Sequence, residues 1–291
     1  MTATNQRTLS AIAREEGPRL RAAYPDVFRT DMKARAVTIG TIVLLVGLFV
    51  YGLSILETTW WRVFLGLGEL GKFVVYMIPP NPETLSKALV YVHALAETVA
   101  IAILGTVLAA TLALPFGFLA ARNVIPSWIA RFFVRRSLDT IRSVDALIWA
   151  LIWVNVVGLG PFAGVLAIMT SDFGAFGKLF SEAIEAADGK ASEGIKSTGG
   201  GNLHQVRFGL LPQVLPLFAS QVLYYIESNT RSATIIGIVG AGGIGLHLYE
   251  QIRTLEYQHV SFIIILVLIA VSAIDWVSSR LRFAVIGVRQ T

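Results

Sequence analysis

Val37–Ile55 reads VTIGTIVLLVGLFVYGLSI, a run without a single charge. As a helix at 1.5 Å per residue it is long enough to cross the ~30 Å hydrocarbon core of a bilayer, and a chain carrying it must solve its folding problem in lipid. A signal peptide does not fit, because the tail before the run is long and no small-residue cleavage site follows it. Five more apolar stretches come after it. Leu89–Ala121 is interrupted by Glu97 and bent at Pro115. Val144–Gly158 has Asp145 near its start, and Pro161–Phe180 is weakened in its second half by Asp172, Gly174 and Gly177. Leu210–Thr230 carries Pro212 and Pro216 early and Glu227 late, and Val260–Val277 is interrupted only by Asp275. The runs are continuous rather than alternating, which favours helices over barrel strands. The expectation is an all-α integral membrane protein with six transmembrane helices. Composition agrees: 55% of the residues are apolar and 15% charged, against about 25% charged in soluble domains. Thr58–Met77 mixes Trp60, Trp61, Phe64, Phe73 and Tyr76 with Arg62, Glu69 and Lys72, which suits an interfacial helix with aromatic anchors.

The basic residues orient the bundle. Arg7, Arg14, Arg19, Arg21, Arg29, Lys33 and Arg35 lie in the amino tail, and Arg122, Arg131, Arg135, Arg136 and Arg142 between the second and third stretches. Lys178, Lys190, Lys196 and Arg207 lie between the fourth and fifth, and Arg280, Arg282 and Arg289 at the carboxyl end. The opposite side holds only Arg62, Lys72, Lys87, Arg231 and Arg253. The positive-inside rule then places both termini in the cytoplasm of a multi-pass protein. The net charge of +5 is accounted for by contact with anionic inner-leaflet lipid, and no nucleic acid is needed. The chain reads as a basic tail (1–35), a first span with its interfacial helix (36–84), and a core (85–291).

Several motifs lead nowhere. Gly240, Gly242 and Gly245 fit G-x-G-x-x-G, but that fingerprint needs a preceding strand, and here it follows a span. No Walker A sequence occurs, since Gly189-Lys190 is followed by Ala191. The absence of Cys excludes disulfides and thiolate chemistry, and His93, His204, His247 and His259 are too scattered for a metal site. Gly160 and Gly164 suit either close helix packing or a turn. Ionisable and polar groups at membrane depth are functional candidates: Glu97, Asp145, Asp172, Glu227, Asn229, Arg231 and Asp275. Glu227 and Arg231, four residues apart, can pair, either along a substrate path or as a brace for the outer end of the fifth span. Thr234–Gly245, with Gly240, Gly242 and Gly243, reads as a re-entrant gate facing outward or as a packing turn.

One feature is specific. Between the fourth and fifth spans lies a polar insert, about 181–209. Its first half, SEAIEAADGKASEGIKSTG, is helical in pattern with a break near Asp188-Gly189. Gly199, Gly200 and Gly201 follow, and Asn202 is placed to cap a second helix that runs into Leu211-Pro212. The insert resembles the coupling segment of ABC importer permeases, E-A-A, three residues, Gly, nine residues, Ile, one residue, Leu-Pro. Anchored on Leu211-Pro212, the pattern puts Glu193 and Gly199 at its glutamate and glycine. It departs at Gly194, Ile195 and Gly209, which stand for the two alanines and the isoleucine. ETVAIAILGTVLAATLALPFGFLAARN from Glu97, GLGPFAGVLAI from Gly158, LLPQVLPLF from Leu210 and IESNTRSATIIGIVGAGGIG from Ile226 resemble permeases of the phosphonate (PhnE) type, over roughly 85–275.

That resemblance implies a type I importer fold like the methionine permease MetI, forming a homodimeric pore. Its partners are two cytoplasmic ABC ATPase subunits, which use ATP and Mg, and an extracytoplasmic substrate-binding protein. The chain itself then binds no cofactor and is no enzyme. Glu193, Gly199, Leu211 and Pro212 become the ATPase-coupling residues, and Glu97, Glu227, Asn229, Arg231, Gly240, Gly242 and Gly243 the candidates for substrate path or gate. The implied cargo is phosphonate or a related oxyanion such as phosphite or phosphate, moved across the bacterial plasma membrane by alternating access. Methionine or sulfonate permeases share the general pattern. A secondary transporter would lack a use for the cytoplasmic hairpin.

Overall fold

The computed structural model describes Pro18, Ala22, residues 32–55 and residues 60–286 of the chain. Most of the basic tail read at 1–35, and Arg289, lie outside the described residues. The chain divides into two compact units, residues 1–71 and 72–291. In the first, α1 (Met32–Ile55) contains the uncharged run and exposes its apolar side chains throughout, as a lipid-facing helix does. It is followed by α2 (Trp60–Tyr76).

The second unit is helical throughout, with no strand among the described residues. It comprises α3 (Leu85–Ala120), α4 (Trp128–Arg142), α5 (Ala146–Val157), α6 (Pro161–Ala186), α7 (Gly189–Ser197), α8 (Asn202–His204), a π-helical stretch Gln205–Leu210, α9 (Leu211–Gly237), α10 (Ile244–Arg253) and α11 (Tyr257–Ile286). Local chemistry sets the starts. The Thr84 hydroxyl accepts the Lys87 N–H at 3.3 Å at the head of α3, Asp145 caps α5 through the Leu147 N–H at 2.8 Å, and Pro161 occupies the first turn of α6, where a missing N–H costs nothing.

One expectation gains detail and one needs correction. Within Val144–Gly158 the helix α5 has 12 residues, ~18 Å, and α4 meets it at 85°. Among the described residues five helices are long and apolar enough to cross a membrane, and six if α4 and α5 count as one broken span. The sequence between Pro161 and Phe180 is not broken at Gly174 and Gly177. α6 runs unbroken for 26 residues, and those glycines are contact points. A Cβ on Gly177 would lie 2.6 Å from Leu138 Cδ2, and one on Gly174 2.7 Å from the Leu138 carbonyl oxygen.

The core is built on α3 and α6. Along α3, Gly105, Ala109, Ala113 and Gly117 recur every fourth residue and are all buried. In lipid, apolar side chains gain nothing by leaving their surroundings, so small residues that let backbones approach are the main adhesive. A Cβ on Gly105 would stand 2.8 Å from Ile168 Cβ, and one on Gly117 2.7 Å from Phe180 Cβ. Around this seam Phe176, Phe180, Ile184, Val214 and Phe218 form one cluster, and Ile101, Val165, Ile168 and Ile236 a second.

Gly105→Leu should therefore cost stability beyond the ~1–3 kcal/mol of ordinary overpacking, because backbone must separate. Gly47→Leu on α1, with nothing within 4 Å of its added Cβ, is the control. Thermal unfolding of the two variants in detergent checks this, and equal midpoints would remove the seam from its role.

Candidate functional site

Four polar assemblies lie along the second unit. The first is the glycine turn between α9 and α10. Thr234–Gly237 completes α9, and Ile238–Gly243 turns the chain. The segment read as a possible re-entrant gate is thus a helix end followed by a tight turn. Gly240, Gly242 and Gly243 hold φ of 92°, 81° and 77°, a region that side chains disfavour, and the space is closed too. Cβ atoms there would meet Leu159 Cδ2 at 2.2 Å, the Pro161 nitrogen at 2.7 Å and Thr98 Oγ1 at 2.3 Å. Glu97 reaches this turn from α3: its Oε1 accepts the Gly243 N–H at 2.9 Å. The Thr98 hydroxyl accepts the Ile244 N–H at 2.8 Å. The free N–H groups at the head of α10 are thus met by a carboxylate and a hydroxyl, as a helix amino terminus prefers. The Gly160 N–H also donates to the Gly240 carbonyl at 3.0 Å, so the α5–α6 turn and the α9–α10 turn satisfy one another.

The second assembly is buried between α3, α6 and α9. The Asn229 amide donates to Thr106 Oγ1 at 2.8 Å and to the carboxylate of Asp172, and all three side chains are buried. Thr106 carried no signal in the sequence, because a threonine in an apolar helix usually bonds its own backbone, as this one also does to Ala102.

The third assembly lies on the other side of α9. Arg231 donates to Glu227 Oε1 at 3.3 Å, Arg282 from α11 donates to Glu227 Oε2 at 3.3 Å, and Asp275 lies 3.7 Å from Arg282. The pairing of Glu227 with Arg231 holds, with Arg282 as a second partner of that carboxylate. Arg282 lies ~37 Å along α11 from Tyr257, so the cluster lies toward the carboxyl-terminal end of α11. Glu227 and Asn229 are two residues apart and therefore face opposite sides of one helix. The candidate path residues form three groups, not one.

The fourth assembly is the hairpin. Asp188 caps α7 through the Lys190 N–H at 3.0 Å. At its other end Gly199, at φ 84°, donates to the Lys196 carbonyl, and Gly200 to the Ile195 carbonyl, both at 3.0 Å. This paired closure with a left-handed glycine just past the helix end is a Schellman motif. Asn202 does not cap the next helix. Gly201 takes the cap position, and Asn202 is already helical. Residues 202–237 form one continuous helix, so the second arm of the hairpin is the foot of α9. Gly209 lies where the family pattern carries isoleucine, and its hydrogen faces Ser192, whose Oγ would stand 2.8 Å from an added Cβ. Gln213 then locks the joint: its amide donates to the carbonyls of Asp188 and Gly209 and its oxygen accepts the Asp188 N–H at 3.1 Å. Leu211 and Pro212 form the first turn of α9, and Glu193 is exposed on α7 without a partner among the described residues. Beside the hairpin, Arg122, Asn123, Ser192, Asn202 and Gln205 help line a groove. Sequence reasoning missed Glu185, which takes the Arg122 N–H and Arg135 Nη2, both at 2.6 Å, and ties the feet of α3, α4 and α6.

Comparison with known proteins gives the context. The family described as binding-protein-dependent transport system inner membrane component matches residues 113–285. The chain is 36% identical over 263 residues to HtxC of Stutzerimonas stutzeri, named for a phosphite transport system permease, covering 90% of this chain and 92% of that one. It is 39% identical over 209 residues to the phosphate-import permease PhnE of Mycolicibacterium smegmatis, covering 70% of this chain and 39% of that protein. Among solved structures, inward-facing MetNI, a methionine ABC transporter, aligns with a TM-score of 0.61 over 69% of this chain and 99% of that one, at 20% identity, a likeness of fold alone. By family match and by full-length similarity the chain belongs to the binding-protein-dependent transport system inner membrane components: it is a multi-pass ABC importer permease of the bacterial plasma membrane, not an enzyme, and works with a separate ATPase and a substrate-binding protein.

Proposed function

We propose that this permease carries phosphonate or a related oxyanion, phosphite or phosphate, and does so as a homodimer with two ATPase subunits that bind the ATP and Mg. The observation that carries the substrate reading is similarity over nine-tenths of the chain to a permease named for phosphite. Methionine is not favoured, because that likeness is one of fold. Both termini and the hairpin face the cytoplasm in this reading. Ser197→Cys should react with an impermeant thiol reagent only after cells are permeabilised, and Ser86→Cys on intact cells. Both positions are exposed. The reverse pattern would invert the topology.

The hairpin is the proposed docking point for the ATPase, with Glu193 exposed on α7 and Gly199 closing it. Gly199→Asp places a charged side chain at a left-handed φ. The variant should insert normally but lose ATPase co-purification and ATP-dependent uptake, whereas Gly194→Ala, with nothing near its added Cβ, should keep both. Full uptake by Gly199→Asp refutes the docking assignment.

For the path we propose the Gly240–Gly243 turn with Glu97 as the gate, Asn229 as the latch below it, and Arg231 as a contact for the anion beside Glu227. Its guanidinium fork matches an oxyanion in two points. Arg231 is half exposed whereas Arg282 is largely buried, so Arg231 can leave Glu227 for a passing anion while Arg282 keeps that carboxylate paired. Arg231→Ala should cut uptake about tenfold or more, the scale of a lost charged hydrogen bond, with assembly intact, and Arg231→Lys should recover part. Wild-type uptake by the double variant Glu227→Gln, Arg231→Gln would reduce the pair to a structural brace.

A further inference from the structure

Helix α4 has no part in the assignments above except the grip of Arg135 on Glu185. Its fifteen residues, WIARFFVRRSLDTIR, advance 100° each and divide into three faces. Val134, Leu138 and Ile141 turn inward, and Leu138 is 2% exposed against Gly174 and Gly177. Arg131, Arg135, Asp139 and Arg142 form a polar edge. The third face is apolar and bare over its first two turns, where Trp128, Ile129 and Phe133 are each more than 60% exposed with Phe132 between them, and Arg136, Ser137 and Thr140 continue it. α4 meets α5 at 85°, and both pack on α6. A helix with apolar side chains on one face and cations beside them suits a bilayer surface.

A second observation lies at its edge. Arg135, Arg136, Asp139 and Lys178 help line a pocket of about 220 Å³. Arg135 is committed to Glu185. Lys178 Nζ lies 3.4 Å and Arg136 Nη2 4.0 Å from the one Asp139 carboxylate, so two cations share a single negative charge. The Arg136 guanidinium lies 5.9 Å over the Phe132 ring, which in turn packs 5.7 Å from Trp128. The stack leads from the cationic pocket directly onto the apolar face.

We propose that α4 and Lys178 form a binding site for an anionic phospholipid of the cytoplasmic leaflet, its phosphate taken by Arg136 and Lys178 and its acyl chains laid along Phe132, Phe133 and Ile129. The charges match a phosphate that carries no cation of its own, and the rings match the depth at which glycerol gives way to hydrocarbon. An occupied site braces the foot of α6, from which the docking hairpin departs. The proposal rests on α4 being cytoplasmic, which the Ser197 and Ser86 labelling tests separately.

The test uses the purified permease–ATPase complex and native mass spectrometry with phosphatidylglycerol and phosphatidylethanolamine supplied together. Phosphatidylglycerol should be retained in preference. Arg136→Gln with Lys178→Gln should lower its retention about 25-fold, from about fivefold for each surface cation, in a complex that stays assembled. Equal retention of the two lipids, or no change in the double variant, overturns the proposal, as does displacement of the lipid by inorganic phosphate, which would mark a free-anion site. If the double variant does not assemble, Trp128→Phe decides. In bilayers with brominated phosphatidylglycerol the wild type should lose a component of tryptophan fluorescence that this variant lacks, and identical quenching overturns the site. Disulfide-linked permease pairs from Phe133→Cys would show a second copy on this face and overturn it too. The native chain has no cysteine to interfere.

Discussion

The bundle depends on how closely α3 approaches α6. Nothing larger than hydrogen fits at Gly105 or Gly117, and in lipid this intimacy replaces the hydrophobic force that assembles a soluble core. It has a mechanical result. α3 is 36 residues long, ~54 Å, and fixed along its middle. Its ends are thereby held where they can serve two different polar assemblies. Toward its amino-terminal end Glu97 and Thr98 hold the head of α10, and just past its carboxyl-terminal end Arg122 and Asn123 hold the end of α6 through Glu185 and the Ile184 carbonyl.

The short α5 and the glycine turn solve one further problem. Backbone that leaves helical geometry inside a membrane must find partners within the protein. Here this is met by the Gly160–Gly240 bond between the two turns and by the Glu97 and Thr98 caps. The close fit of Gly237, Gly242 and Gly245, whose added Cβ atoms would strike one another's backbone or that of Thr234 and Pro161, is the steric condition for that arrangement. Glu97 thus has a structural occupation independent of any substrate.

What hydropathy could see was lipid contact. α1 and α11 are apolar because they face lipid, and their runs were legible. α6 is diluted by Asp172, Gly174 and Gly177, yet 56% of its most apolar window is buried against 17% for α11. It reads weakest because it is most central. The run at Val144–Gly158 was legible as apolar, but its 12-residue helix, ending at the Gly158–Gly160 turn and bent 85° from α4, was not, since hydropathy does not weigh turns. The hairpin was legible because it is a polar island with a glycine at a helix end. The Thr106–Asp172–Asn229 contact was not, since 123 residues separate Thr106 from Asn229. Arg282 as a second partner of Glu227 was not legible for a related reason, since it lies 55 residues away.

These contacts also determine where a push on the hairpin would be felt. The π-helical stretch between α7 and α9 is the weakest helical geometry on that route and by itself would absorb a displacement. Gln213 bypasses it by bonding Asp188 at one side and Gly209 at the other, so α7 and the foot of α9 move as one body. Farther along, Asn229 ties α9 to α3 and α6 while Glu227 ties it to α11. A displacement of α9 must therefore either carry both neighbours with it or break one set of bonds. Breaking the Asn229 contacts leaves buried groups unpaired, which is costly, whereas Arg231 is half exposed and Arg282 stays on Glu227 when it moves. The face toward α11 is thus the softer of the two, and a displacement that begins at α7 is steered to slide α9 along α11 and to spend itself at the turn beyond Gly237.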